Sequence, residues 1–324
     1  MVYTCFPGGK HKCLSMSYDD GFRSDLKLVE IFNRNGIRGT FNLISAVLDW
    51  EDRIHPDEIP EVYAGHEIAC HMAHHPTSAR CPLPSITRDL LDDWMALEAI
   101  TGTPVRGLAY PNGSHSPAIR SMLSAAGIRY ARSVGSSESF SLPEDLTCWQ
   151  STFHHNHRLM ELGRQFCDLH KTQYLYLMDV WGHSYEFDQD DNWELMETFC
   201  AMMGNREDIW YATHIEIVDY MEVFQRLQFA ADNSFVYNPS VDSAWLSVGP
   251  GRIVEIPGGQ FSGSADASPW MNSMAFSRRS VIRLRTCRLP RSRRKCLRRF
   301  RRPERSSSTG FPSRNCPCPG LRRK

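Results

Sequence analysis

The chain has 324 residues, 41% of them apolar, and carries 37 basic and 37 acidic side chains. That length can bury one core of barrel size or two smaller ones, and no apolar run is long enough to cross a membrane as a helix. The balanced charge hides an asymmetry: residues 278–324 hold 16 arginines and two lysines against one acid, a net +17, which leaves −17 on residues 1–277. Bulk charge therefore argues against nucleic-acid binding by the body and leaves it open only for the basic tail. Residues 1–10 contain Gly, Pro and Lys rather than an apolar leader, so a cytoplasmic protein is expected. The 11 cysteines are scattered with no zinc-finger spacing and read as reduced thiols.

Residues 14–18 alternate apolar and small side chains and predict a short strand that ends in Asp19-Asp20-Gly21. At a strand end the backbone turns, so two neighbouring acids can face one opening. Two carboxylates that close raise one pKa, unless a cation claims one and leaves the other as a base. The same triplet is also ordinary turn chemistry. Residues 25–35 read as a helix stopped at Asn35-Gly36, and 37–43 as a second strand, which together make a parallel crossover unit. Residues 50–62 form an acidic connection. A strand at 66–70 leads into His71-Met72-Ala73-His74-His75-Pro76. A helix from about 85 to 101 and a strand at 105–109 follow, the strand leading into Tyr110-Pro111-Asn112-Gly113. Then come a helix at 117–126, a strand at 128–131, a polar loop at 133–144 and a helix at 159–169. A strand at 174–180 ends in Trp181-Gly182-His183-Ser184. A helix at 192–203, a strand at 209–212 and a long helix at 215–229 precede short strands at 235–237, 244–248 and 253–256.

Repeated strand–helix pairs predict an α/β architecture, a barrel of parallel strands with outer helices, over residues 1–260. The reactive residues all follow strands, on the C-terminal face where such barrels place their sites. Residues 261–324 are rich in Arg, Ser and Pro without periodicity. They read as a disordered basic tail, an arm for nucleic acid or an anionic surface, or the product of a frameshift that replaced the true C-terminus.

His71 and His75 are four apart and share a face if their segment is helical or tightly turned. With one carboxylate they form a two-His, one-Asp set suited to Zn²⁺ or a similar divalent ion with positions open for water. Spacing alone lets His74 replace either histidine. The order Ser-Tyr-Asp-Asp-Gly, His-x-x-x-His-Pro, the stretch from Arg106 to Pro111 and a late strand ending at His183 resembles the polysaccharide deacetylase family. This is carbohydrate esterase family four, the chitooligosaccharide deacetylase homology domain, and the resemblance spans residues 12–185.

The resemblance implies a distorted, incomplete barrel and a metal-dependent hydrolase that removes acetyl groups from an N- or O-acetylated carbohydrate. It implies Asp19 as catalytic base, and Asp20, His71 and His75 as ligands of a divalent metal, with zinc first and Co²⁺, Ni²⁺ or Mn²⁺ as alternatives. It further implies Arg106 as the arginine orienting the base, a backbone N–H near Tyr110 on the oxyanion, and His183 as general acid. Trp181 and Tyr185 are candidates to stack on a sugar ring. Met72 departs from the family's usual Ser or Thr. The family's acid-tuning Asp near a Trp has no clean match, with Asp145 beside Trp149, or Asp179, as the nearest candidates. Two other readings stay open, an amidase acting on a small non-sugar amide and an inactive metal-binding homologue. The oligomeric state is not legible.

Overall fold

In the computed structural model, which describes residues 1–249 and 251–263, one curled parallel sheet organises the chain. The tail expected from 261 lies, from residue 264 onward, outside the described residues. Strand β1 (Val2–Cys5) stands apart from the main sheet. The sheet is built from β2 (Lys12–Asp19), β3 (Gly39–Leu43), β4 (Glu67–Cys70), β5 (Gly107–Ala109) and β6 (Tyr130–Ser133). It continues with β7 (Trp149–Gln150), β8 (Phe153–His154), β9 (Tyr176–Gly182) and β10 (Ile209–Tyr211). Their order is β7-β6-β5-β4-β3-β2-β9-β8, with β10 paired to the first half of β2.

Strands β7 and β8 lie at opposite edges of this sheet, yet only Ser151 and Thr152 separate them in the chain. Three Cα steps reach at most about 11 Å. The sheet must therefore curl until its edges nearly meet, which is the expected incomplete barrel. The polar loop after β6 closes the seam: Ser137 N–H donates to the Ser151 carbonyl at 3.1 Å, and Glu138 N–H to the Thr152 carbonyl at 2.9 Å.

All eight residues of β2 are buried, and its alternation decides what goes where. Leu14, Met16 and Tyr18 join a core with Leu28 and Phe32 of helix α1 (Asp25–Arg34). Ser15, Ser17 and Asp19 face the other way, into the barrel. There Asn42 donates to the Ser17 hydroxyl at 3.0 Å, and Arg132 donates to it at 3.1 Å. Small polar residues on that face leave room for an arginine inside the barrel. The outer helices continue with α2 (Ile59–Val62), α3 (Leu83–Thr101), α4 (Pro117–Ala126) and α5 (Leu159–Cys167). They end with α6 (Tyr185–Gln189), α7 (Trp193–Met203) and α8 (His214–Gln225).

Three expectations shift. The strand expected at 128–131 is β6, two residues later, which carries Arg132 onto the sheet. The long helix expected to 229 stops at Gln225, because Gln228–Phe229 (β11) pairs with β12 (Phe235–Asn238). β1, absent from the sequence reading, pairs with β13 (Ala244–Val248), which pairs in turn with β14 (Ile253–Ile256). A second small sheet joins β11 and β12 to β15 (Gln260–Gly263). The seven cysteines among the described residues are free thiols.

Candidate active site

Strand β2 ends in two successive left-handed residues, Asp20 at φ 80° and Gly21 at φ 70°. That conformation costs a non-glycine residue free energy and has to be held from outside. Asp20 N–H donates to the Asn42 carbonyl at 2.9 Å, which ties the turn to β3. The turn breaks strand alternation and brings Asp19 and Asp20 to one opening.

After β4 the chain makes a second such turn, with Met72 at φ 62° and His75 at φ 50°. It is not helical, yet it returns His75 beside His71 with ring centres 4.8 Å apart. His71 Nδ1 lies 2.8 Å from the Ala109 carbonyl. A carbonyl only accepts, so Nδ1 carries the proton and Nε2 keeps a free lone pair. That Nε2 is 3.5 Å from Asp20 Oδ1, and His75 Nε2 is 4.0 Å from the same oxygen. Asp20 Oδ1 is buried and has no hydrogen-bond partner among the described residues. Bonds of about 2.0–2.2 Å around a tetrahedral ion place donors roughly 3.3–3.5 Å apart. The His71 separation falls in that span and the His75 separation is longer, so an orphaned carboxylate oxygen facing two imidazole nitrogens fits a divalent cation that draws His75 in. His74 does not compete, since its ring bonds Asp89 of α3 at 2.6 Å and its side chain is 69% exposed.

Asp19 is fixed by Arg132, whose Nη2 donates to both carboxylate oxygens, at 2.5 Å to Oδ2. Asn42 donates to Oδ1 at 2.9 Å. Burial pushes the Asp19 carboxyl up, but Arg132, His71 and His183 together pull it down to about 2. Asp19 is therefore an anion at any working pH.

The arginine expected in this role, Arg106, is elsewhere. It precedes β5, at the end of the barrel away from Asp19, and forms two 2.9 Å bonds with Asp219 of α8. Register pairs Ala109 with Arg132. A side chain at the C-terminal end of β6 reaches Asp19, and one before the start of β5 does not. Tyr110 itself does not offer the expected N–H. Its N–H is spent on the Arg132 carbonyl at 2.8 Å, and its hydroxyl donates to the Thr147 carbonyl at 2.8 Å. Trp181 is buried rather than an open platform: the Arg132 guanidinium sits 4.9 Å from its ring, and its Nε1 donates to the Gly135 carbonyl at 2.8 Å.

His183 follows β9. Its partner is Glu186 of α6, with Nδ1 3.0 Å from Oε1. Burial lowers the His183 pKa, but the Glu186 bond and the charges of Asp19 and Asp20 outweigh it and the net shift is upward. The carboxylates first considered serve other groups, Asp179 bonding His214 at 2.8 Å and Asp145 pairing with Arg120 at 2.7 Å. Sequence reading missed both Arg132 and Glu186. For Glu186 a signal existed: a carboxylate three residues after a histidine at a helix start shares its face.

The polysaccharide deacetylase family model matches residues 7–131. That span includes Asp19, Asp20, His71 and His75 and stops one residue before Arg132. Residues 7–131 are of the polysaccharide deacetylase family. No curated protein matches the sequence. Two crystal structures share the deacetylase fold with this chain. One, a candidate polysaccharide deacetylase from Mycobacterium smegmatis, is 15% identical with TM-score 0.54, over 69% of this chain and 95% of the other. The second, from Pseudomonas aeruginosa PAO1, is 12% identical with TM-score 0.53, over 66% and 92%. The chain spans 55% of the Streptococcus pyogenes deacetylase PplD, which was crystallised with acetate, at 14% identity and TM-score 0.36 over 37% of this chain.

Proposed function

We propose that this chain is a metal-dependent hydrolase that removes acetyl groups from an N- or O-acetylated carbohydrate. The family and the fold support carbohydrate deacetylase chemistry. The observation that carries the finer reading is the orphaned Asp20 Oδ1 facing His71 and His75, beside an Asp19 clamped by Arg132. Asp20, His71 and His75 would hold the ion, with zinc favoured and cobalt, nickel or manganese compatible with the same donors. When bound, it supplies Lewis acidity towards the acetyl carbonyl and a water of lowered pKa.

The chain's own residues do the rest. Asp19 accepts the proton of the attacking water, while Arg132 and Asn42 fix its orientation. Its low pKa makes it a weak base in bulk terms, so its contribution comes from position beside an acidified water. His183, with Nδ1 held by Glu186, presents Nε2 to the departing nitrogen or oxygen and gives up its proton there. Water adds to the acetyl carbon, the bond to the sugar breaks, and acetate and a free amine or hydroxyl leave.

A panel of acetylated sugars assayed for released acetate, with metal analysis of the same sample, tests this. At least one sugar should yield acetate with wild type and at least about a hundredfold more slowly with Asp19→Asn, whose metal content stays normal. Acetate release by Asp19→Asn at the wild-type rate would remove Asp19 as the base.

A further inference from the structure

The acid side of the site is assembled beyond the family match, from β8, β9 and α6. His154 stands opposite Trp181 in the β8–β9 register, and His155 N–H donates to the Trp181 carbonyl at 2.9 Å. The His155 ring is fully buried, stacked between Tyr18 (5.7 Å, 9° between planes) and Phe187 (4.2 Å, 27°). Gly182 makes this possible, since a Cβ there would lie 2.0 Å from His155 Nδ1. Both rings aim at one carboxylate: Glu186 Oε2 is 3.1 Å from His154 Nε2 and 2.9 Å from His155 Nε2. Its other oxygen holds His183. One carboxylate thus serves three imidazoles. Oε2 lies at ion-pair distance from its two rings without hydrogen-bond alignment to either, so their hold on it is mainly electrostatic.

We propose that Glu186 is the positioning residue of the acid arm, and that His154 and His155 compete for its charge and so set how firmly it grips His183. This rests on the reading of His183 as proton donor. His154, His155 and Glu186 could instead be ligands of a second cation, since their donor atoms fall within 4.8 Å of one another. Two observations favour the metal-free cluster. Asn156 N–H donates to His154 Nδ1 at 3.2 Å, which places that ring's proton on Nε2, the atom a cation would need. His71 shows the opposite arrangement. The 2.9 and 3.1 Å separations are also direct contacts, against 3.5 and 4.0 Å around Asp20. The other ionisable groups facing this arm are Asp19 and Asp20 at the end of β2, Tyr18 of β2, and Tyr185 of α6, whose ring is 5.3 Å from His183 and which Arg53 faces.

The test uses the full-length, metal-loaded protein, the Glu186→Gln, Glu186→Asp and His154→Ala variants, and two readouts. The first is the pH profile of kcat, whose alkaline limb records loss of the His183 proton. Glu186→Gln keeps shape but removes charge, so the limb moves to lower pH by about one unit and kcat falls roughly 10–100-fold with KM nearly constant. Glu186→Asp restores part of the limb position. His154→Ala removes a competitor, so the limb moves to higher pH. The second readout is the imidazole ¹⁵N titration of His183, which needs no turnover and shows the same opposed shifts if no tested sugar is a substrate. Shifts of the same sign in Glu186→Gln and His154→Ala, or no shift in Glu186→Gln, would overturn the proposal. So would two ions per wild-type chain falling to one in either variant.

Discussion

Asp19 and Asp20 are neighbours in sequence with different surroundings, and the proposed reaction gives them different work. Asp19 is buried against Arg132, and Asp20 has an oxygen with no partner among the described residues. Asp20→Ala and His75→Ala are expected to lose the ion while remaining folded, which metal analysis and circular dichroism check. Asp19→Asn should keep the ion and lose about 10²–10⁴-fold in kcat, the usual span for a positioned base. Arg132→Ala leaves the Asp19 charge buried without its guanidinium, so kcat should collapse and stability fall by about 3–5 kcal/mol. Arg106→Ala should change kcat less than twofold, because among the described residues its ion pair is with the partly exposed Asp219. Comparing the two arginine variants in one assay separates them. Residue spacing made the aspartate pair and His71 with His75 legible. It could not reveal Arg132, whose contact with Asp19 crosses 113 positions and depends on strand register. Nor could it exclude His74, which an Asp89 on another element draws outward.

At the scale of elements, the strand–helix alternation was readable because each β-strand is bounded by turn chemistry and each helix has one apolar side. Boundaries moved where pairing partners decide them, as at β6 and at the end of α8. The start of α1 carries a testable cost. Its first residue, Asp25, is fully buried and accepts a 2.6 Å bond from the Tyr63 hydroxyl. Burial outweighs the pull of the nearby Ser184 and Tyr63 hydroxyls and pushes its carboxyl up to about 7. A carboxyl raised above its unfolded value contributes stability at low pH, and that contribution is lost as pH rises from about 4 through 7. Asp25→Asn, which can still accept from Tyr63, should flatten that decline and gain on the order of a few kcal/mol at pH 8. Urea melts of both proteins at pH 5 and 8 measure it. Equal stabilities at pH 8 would show that the buried acid is not strained.

For the whole molecule, the barrel is closed by a two-residue step between β7 and β8, and its C-terminal rim gathers side chains from β2, β4, β6, β9 and the turns after them. The proposed ion would tie strands that are distant in sequence there, so it should stabilise the folded state by mass action, about 2.7 kcal/mol at a hundredfold excess over Kd. Chelation should lower the wild-type Tm by several degrees and leave the Asp20→Ala protein unchanged. The most direct measurement is the number of divalent ions bound per chain in wild type and in an Asp20→Ala/His75→Ala double variant, each also assayed for acetate release. We expect one ion per wild-type chain and none in the folded double variant, with acetate release lost in step. A double variant that keeps its ion would contradict the assignment of Asp20, His71 and His75 as the metal centre.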